Sequence, residues 1–202
     1  MRYIGTSVSG IIAAPVDALW EVVSDATRHP ELAGSGHVQR VKVLTPEGMG
    51  PGALFASNQN IQGMRYKVVS RVVAWDPPFR FAWRIGIAQF PGVAQIWQFE
   101  LRPEAGATRA TNGVVLPYAL PPLPPFTQLR HAAARAEAGT MRPTLANLAR
   151  LVQAPVPEAY DVSLDAPANL VAMMPAPLIH AGLWASGAGL LGWLLLRRQR
   201  GA

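Results

Sequence analysis

Between Met64 and Leu101 the chain alternates apolar and polar positions in three runs separated by two turns. In the first run Tyr66, Val68, Ser70 and Val72 share one face while Lys67, Val69 and Arg71 share the other. In the second, Phe81, Trp83 and Ile85 alternate with Arg80, Ala82 and Arg84; the third is Ile96-Trp97-Gln98-Phe99-Glu100-Leu101. Period two is the pattern of half-buried strands. The first break is Asp76-Pro77-Pro78, where two prolines remove backbone donors and force a turn; the second is Gly86 to Gly92. These features predict an antiparallel meander with aromatics inside and arginines outside. Its aromatic face requires a cover from elsewhere in the chain.

Upstream, Arg2 to Ala13 predicts a first strand, and Pro15 to Val23 a helix with Val16, Leu19, Trp20 and Val23 on one stripe. Thr27 to Leu32 reads as a second short helical piece that ends at Gly34-Ser35-Gly36. His37 to Leu44 and Ala53 to Ile61 are the next strands, and Thr108 to Leu116 is the seventh. Pro117 to Pro125 reads as a stiff connector. From Phe126 to Val152 the period is helical: Ala134, Ala138, Met141, Leu145, Leu148 and Val152 form one stripe, and Arg135, Arg142 and Arg150 fall on another flank. Pro143 lacks a donor and crowds the carbonyl of Gly139, which predicts a kink. This long helix is the natural cover for the sheet.

The order of elements, together with Ala14-Pro15-Val16-Asp17-Ala18-Leu19-Trp20-Glu21-Val22-Val23-Ser24-Asp25, His29-Pro30-Glu31, Gly50-Pro51-Gly52 and Asp76-Pro77-Pro78, resembles the polyketide cyclase/dehydrase and lipid-transport type of the SRPBCC (START/Bet v 1-like) superfamily. The likeness spans about residues 2–152, with Leu32 where the family often has tryptophan. It implies an α+β helix-grip fold, a seven-stranded antiparallel sheet around a long C-terminal helix, with an apolar cavity between them for a hydrophobic small molecule. The implied lining is Phe55, Ser57, Tyr66, Val68, Phe81, Trp83, Trp97, Phe99, Met141 and Leu145.

Composition narrows the chemistry. The 202 residues allow one domain, expected over 1–153, and an appendage. Absence of cysteine excludes disulfides, thiolate nucleophiles and Cys-type metal sites. The four histidines, His29, His37, His131 and His180, show no metal-ligand spacing, so no metal is expected, and His29 reads as a surface or capping residue. Gly48-Met49-Gly50-Pro51-Gly52 precedes a strand rather than a helix, so it is a turn and not a dinucleotide fingerprint, and no cofactor is expected. The net charge of +6 lies upstream of the tail, with 15 basic against 9 acidic residues in 1–153 and 3 against 3 thereafter. Most of these arginines alternate singly along strands, which suits a solvated face rather than a nucleic-acid surface.

Residues 154–177 read as a linker bearing Glu158, Asp161 and Asp165. Leu178 to Leu196 then runs for nineteen residues without Asp, Glu, Lys or Arg, followed by a basic tail, 197–202, with Arg197, Arg198 and Arg200. That length and flank predict a spanning or re-entrant membrane helix. Arg135, Arg142 and Arg150 are candidates for facing anionic headgroups. The N-terminus shows no apolar leader, so the expectation is a cytoplasmic domain held at a membrane. Three functional expectations follow: a binder, and possible carrier or presenter, of a lipid, isoprenoid or polyketide; an enzyme of cyclase or dehydratase type with a titratable group of shifted pKa in the cavity; and a protein-interaction module with a filled interior. The binder is favoured.

Overall fold

The computed structural model describes residues 2–87, 90–121 and 123–174. In chain order the elements are β1 (Arg2–Ile12), α1 (Val16–Ser24), a 3-10 turn (Ala26–Arg28), α2 (His29–Leu32), β2 (Val38–Val43), β3 (Leu54–Ile61) and β4 (Met64–Asp76). They continue as β5 (Arg80–Ile87), β6 (Phe90–Glu104), β7 (Ala107–Leu120), α3 (Phe126–Leu151), β8 (Asp161–Ser163) and α4 (Ala168–Val171). The strands form one antiparallel sheet in the order β2-β3-β4-β5-β6-β7-β1-β8. The fold is the expected helix-grip arrangement, but with eight strands rather than seven.

Local chemistry sets the hairpins. Ile61 pairs with Met64 and Glu104 with Ala107, so two residues close each turn. Gln62 and Gly63, and likewise Ala105 and Gly106, all have positive φ, as a two-residue turn of the twist-matched type requires. Strand β7 runs on to Leu120, four residues past the expected end, and takes in part of the proline-rich stretch. Pro117 is tolerated there because the β1–β7 register shifts between Tyr3 and Gly5, so it sits in a bulge. Helix α3 continues through Pro143 as one element. Beside that proline the carbonyl of Thr140 accepts the Thr144 hydroxyl at 2.8 Å, and the same hydroxyl accepts Gly34 N–H at 2.9 Å.

Helix α3 packs on β1 and β7, with Ala134, Ala138, Met141, Leu145 and Leu148 buried on its inner stripe. Helix α2 and the segment after it lie against β2 and α3. No room exists there for more than glycine at position 34, where a Cβ would stand 2.5 Å from the Thr140 carbonyl oxygen.

The stretch expected as a linker is instead, as far as Met174, laid along the domain. Strand β8 pairs with β1, converting that edge strand into an interior one. The acids of the stretch meet arginines of the domain: Asp161 pairs with Arg109 at 2.9 Å and Asp165 with the buried Arg130 of α3 at 3.2 Å. The chain then crosses the outer face of the sheet. Leu170 is buried against Ile96 and Val115, Asn169 Nδ2 donates to Gln98 Oε1 at 2.9 Å, and Arg84 donates to the Met173 carbonyl at 2.6 Å. Gly5 lets the strap approach, since a Cβ there would stand 2.7 Å from Ala166. Among the described residues no helix is long and apolar enough to cross a membrane. The expected segment 178–196 and the arginines at 197, 198 and 200 lie outside the described residues.

Leu170 is the apolar anchor of the strap, so Leu170→Ala is expected to lower unfolding free energy by about 2–4 kcal/mol through the cavity it leaves. Urea denaturation measures the loss, and amide exchange at Asp161 to Ser163 should accelerate with it. An unchanged urea midpoint contradicts a docked strap.

Candidate functional site

One helix cannot cover a sheet of eight strands. Because α3 lies over β1 and β7, the inner face of β3 to β6 is left for α2 and residues 33–38 to close. They close it without filling it. The face of α3 that overlooks this gap carries Arg135, Ala136, Glu137, Gly139, Thr140 and Thr144, whereas Met141, Leu145 and Leu148 fill the packed core. The result is a cavity of about 660 Å³. Such a volume suits a small organic molecule. Arg135 and Gly139 border the cavity and are exposed, so its mouth lies between α3 and the segment around His37.

The walls combine aromatic and polar groups. Phe55, Trp83, Trp97 and Phe99 supply flat apolar area, with Trp83 stacked on Phe81 at 5.0 Å and on Phe99 at 6.1 Å between ring centroids. Ser57, Gln59, Tyr66, Ser70, Gln95, Asn112 and Glu137 bring polar atoms to the same surface. Three of these are paired within the wall: Gln59 Nε2 donates to Ser57 Oγ at 2.9 Å, and the Trp97 indole N–H donates to Gln95 Oε1 at 3.0 Å. Asn112 is different. Its Nδ2 donates to the Gln98 backbone carbonyl at 3.0 Å, while its Oδ1 is buried without a partner. An unpaired buried acceptor costs about 1–3 kcal/mol.

Three titratable groups border the cavity with altered acidities. His29 lies among Phe55, Phe81 and Trp83, and burial lowers its pKa from 6.5 to about 4 against the opposing pull of the Val23 carbonyl and Asp25. Neutral at pH 7, it donates Nε2–H to the Val23 carbonyl at 3.2 Å, because a carbonyl can only accept. Burial likewise pushes the Glu137 carboxyl and the Tyr66 phenol up. Both shifts favour the protonated form. Among the described residues no three His, Asp or Glu side chains come together as metal ligands.

Of the residues predicted to line a cavity, Phe55, Ser57, Tyr66, Val68, Trp83, Trp97 and Phe99 do border it. Phe81, Met141 and Leu145 are fully buried in the packed core instead, Phe81 beneath Trp83 and the other two where α3 meets the sheet. Arg135 stands at the cavity mouth, while Arg142 and Arg150 are exposed on α3. His29 is not a surface residue: it caps the 3-10 turn through its backbone N–H to the Ala26 carbonyl, but its side chain is buried, 7% exposed, and part of the wall. Asn112 and Glu137 were not singled out by sequence, although each had a signal. Asn112 alternates with Ala110 and Val114, and Glu137 falls three residues after Ala134 and four before Met141, beside the buried stripe.

With this geometry in hand, the profile of the family described as "Polyketide cyclase / dehydrase and lipid transport" matches residues 4–153. The chain belongs to this family. An uncharacterised protein of Mycobacterium tuberculosis is 32% identical over 97 residues, which cover 44% of this chain and 38% of that one. A second match to that species is 38% identical over 66 residues, 33% of this chain and 29% of the other. The chain therefore spans well under half the length of these curated relatives. Among solved structures, a protein of Nitrosomonas europaea superposes with a TM-score of 0.56 at 14% identity, covering 74% of this chain and 94% of its own. The di-domain ARO/CYC StfQ of the steffimycin biosynthetic pathway gives 0.58 at 16% identity, over 75% of this chain and 51% of that one. These likenesses establish the fold. The family profile ends where the strap begins, so the strap is an addition to the part of the chain that the family defines.

The depressed pKa of His29 makes a pH prediction. Between 6.5 and about 4 the unfolded chain binds a proton at this residue that the folded chain refuses, so stability falls as pH drops through that window. From pH 7 to 4.5 the His29 share of the loss is about 2 kcal/mol. His29→Gln, which keeps a donor for the Val23 carbonyl, is expected to lose that much less than the unaltered protein in urea titrations at the two pH values. Equal losses would show that His29 does not carry the effect.

Proposed function

We propose that the domain binds a hydrophobic small molecule of the lipid, isoprenoid or polyketide class in the cavity between α3 and the inner face of the sheet. The observation that carries this reading is the 660 Å³ space walled by Phe55, Trp83, Trp97 and Phe99. An interaction module with a filled interior would not leave such a space. In this reading the domain is cytoplasmic and the apolar segment 178–196 holds it at a membrane, where a hydrophobic ligand partitions and from which it can be loaded, carried or presented. The strap supports a defined departure point for that segment, since Arg84 holds the Met173 carbonyl on the outer face of β5. Exposed Arg142 and Arg150, and Arg135 at the cavity mouth, are suited to anionic headgroups.

Glu137 favours a second reading. A carboxyl whose pKa is raised by burial, on the wall of a ligand cavity, is a group that a cyclase or dehydratase uses as general acid or base.

One experiment on the full-length chain addresses both. The protein should stay with membranes through an alkaline carbonate wash, and native mass spectrometry in detergent should show one bound apolar species. Trp97→Ala, which removes a ring from the wall, is expected to reduce retention at least tenfold in a folded protein. An empty chain that takes up no lipid, isoprenoid or polyketide contradicts the binding reading, and release by carbonate contradicts the anchor. Conversion of the bound species to a product, lost in Glu137→Gln with binding retained, assigns the enzyme reading.

A further inference from the structure

We infer that the outer face of β2 to β5 is a docking surface for an anionic lipid bilayer. The inference rests on the membrane reading of residues 178–196 and adds to it which side of the domain meets the lipid. Along each strand the cations of this face alternate singly, but strand pairing gathers them. Arg40 of β2 and Lys67 of β4 flank Asn58 of β3 in one cross-strand row. Arg71 of β4 stands directly opposite Arg84 of β5. Lys42 and Arg65 extend the same face, since Val41 and Tyr66, which alternate with them, border the cavity on the other side of the sheet.

Nothing on these strands offsets the charge. No Asp or Glu occurs in β2, β3 or β5, and in β4 the single acid is its last residue, Asp76. Among the described residues neither Asp76 nor Glu47, in the loop between β2 and β3, forms an ion pair, and neither do these six cations. Elsewhere the domain pairs its arginines: Arg102, Arg109 and Arg130 each meet a carboxylate. Like charges set directly opposite in a sheet destabilise it, so Arg71 against Arg84 opposes folding. A negatively charged partner offsets that repulsion. The patch ends at Arg80, which lies in register between Asp76 and Glu100.

The end of the strap selects lipid as that partner. Arg84 Nη2 donates to the Met173 carbonyl at 2.6 Å, so the strap brings the chain to this face as it reaches Met174. Only residues 175–177 separate Met174 from the apolar segment, a reach of at most about 14 Å. With that segment in a bilayer, Arg71 and Arg84 stand within about two screening lengths of the headgroups, and each cation so placed is drawn to an anionic leaflet. Arg142 and Arg150 lie on α3, the layer on the other side of the sheet. A flat bilayer meets one of these two sides at a time, and the strap delivers the segment to the sheet side.

The chain has no cysteine, so Asn58→Cys carries a single fluorophore in the middle of the face. Full-length protein is reconstituted into phosphatidylcholine vesicles with and without about 30% phosphatidylglycerol, and energy transfer is read to an acceptor dye on the headgroups. Transfer is expected to rise at least about twofold in the anionic vesicles and to return to the neutral-vesicle value in about 0.5 M NaCl. Lys67→Gln with Arg71→Gln, both at exposed positions, should remove about half of the rise or more without lowering the urea midpoint. Equal transfer in the two vesicle types overturns the inference while the anchor stands. A rise that survives the sheet variant also overturns it, and its loss in Arg142→Gln with Arg150→Gln assigns docking to α3. Tighter binding to a random DNA duplex than to anionic vesicles, abolished in the sheet variant, gives the face to nucleic acid and overturns it too. Protein that floats with neither vesicle type removes the membrane reading together with the inference.

Discussion

A wide curved sheet has an apolar inner face that must be kept from water, and one helix is too narrow to cover it. That constraint organises this molecule. On the inner face α3 takes the β1 and β7 side, where leucine and methionine fill the contact, and the face that carries Ala136, Gly139 and Thr140 borders the side left unfilled. The cavity is thus a consequence of where the helix leans. The aromatic rings of its walls stack, and Ser57 pairs with Gln59 and Gln95 with Trp97.

The outer face carries exposed polar residues such as Lys67 and Arg71, and a small part of it is apolar. Ile96 and Val115 form an apolar patch that the sheet leaves uncovered, and residues beyond the family domain return to cover it with Leu170. Acidic side chains guide that return, since Asp161 and Asp165 each meet an arginine of the domain. The Asp161–Arg109 pair is exposed and contributes little by itself, whereas Asp165 partners the buried guanidinium of Arg130. Burial of Leu170 and the strand pairing of β8 carry more of the strap's stability, and the pairs set its path.

Charge is suppressed on the ligand side of the sheet. His29 is held neutral by burial, while Glu137 and Tyr66 are pushed toward their neutral forms by the same cause. A cavity built this way is polar in hydrogen bonding but poor in charge.

The sequence by itself determined the meander, the long helix, the order of elements and the family, because period-two and period-3.6 patterns and proline punctuation are local signals. It also determined which aromatics face inward, since alternation decides that. The structure decided what each buried position does. Phe81 and Trp83 share a face and a strand, yet only Trp83 borders the cavity, because the lean of α3 is set by packing with β1 and β7 far away in sequence. Polar residues were hardest to place: Asn112 and Glu137 lie on the right faces by period, but their surroundings come from elements that only tertiary folding brings near. Residues 154–174 look like a linker because they lack periodicity, and they become a strap only where the exposed β1 edge and the patch at Ile96 and Val115 meet them.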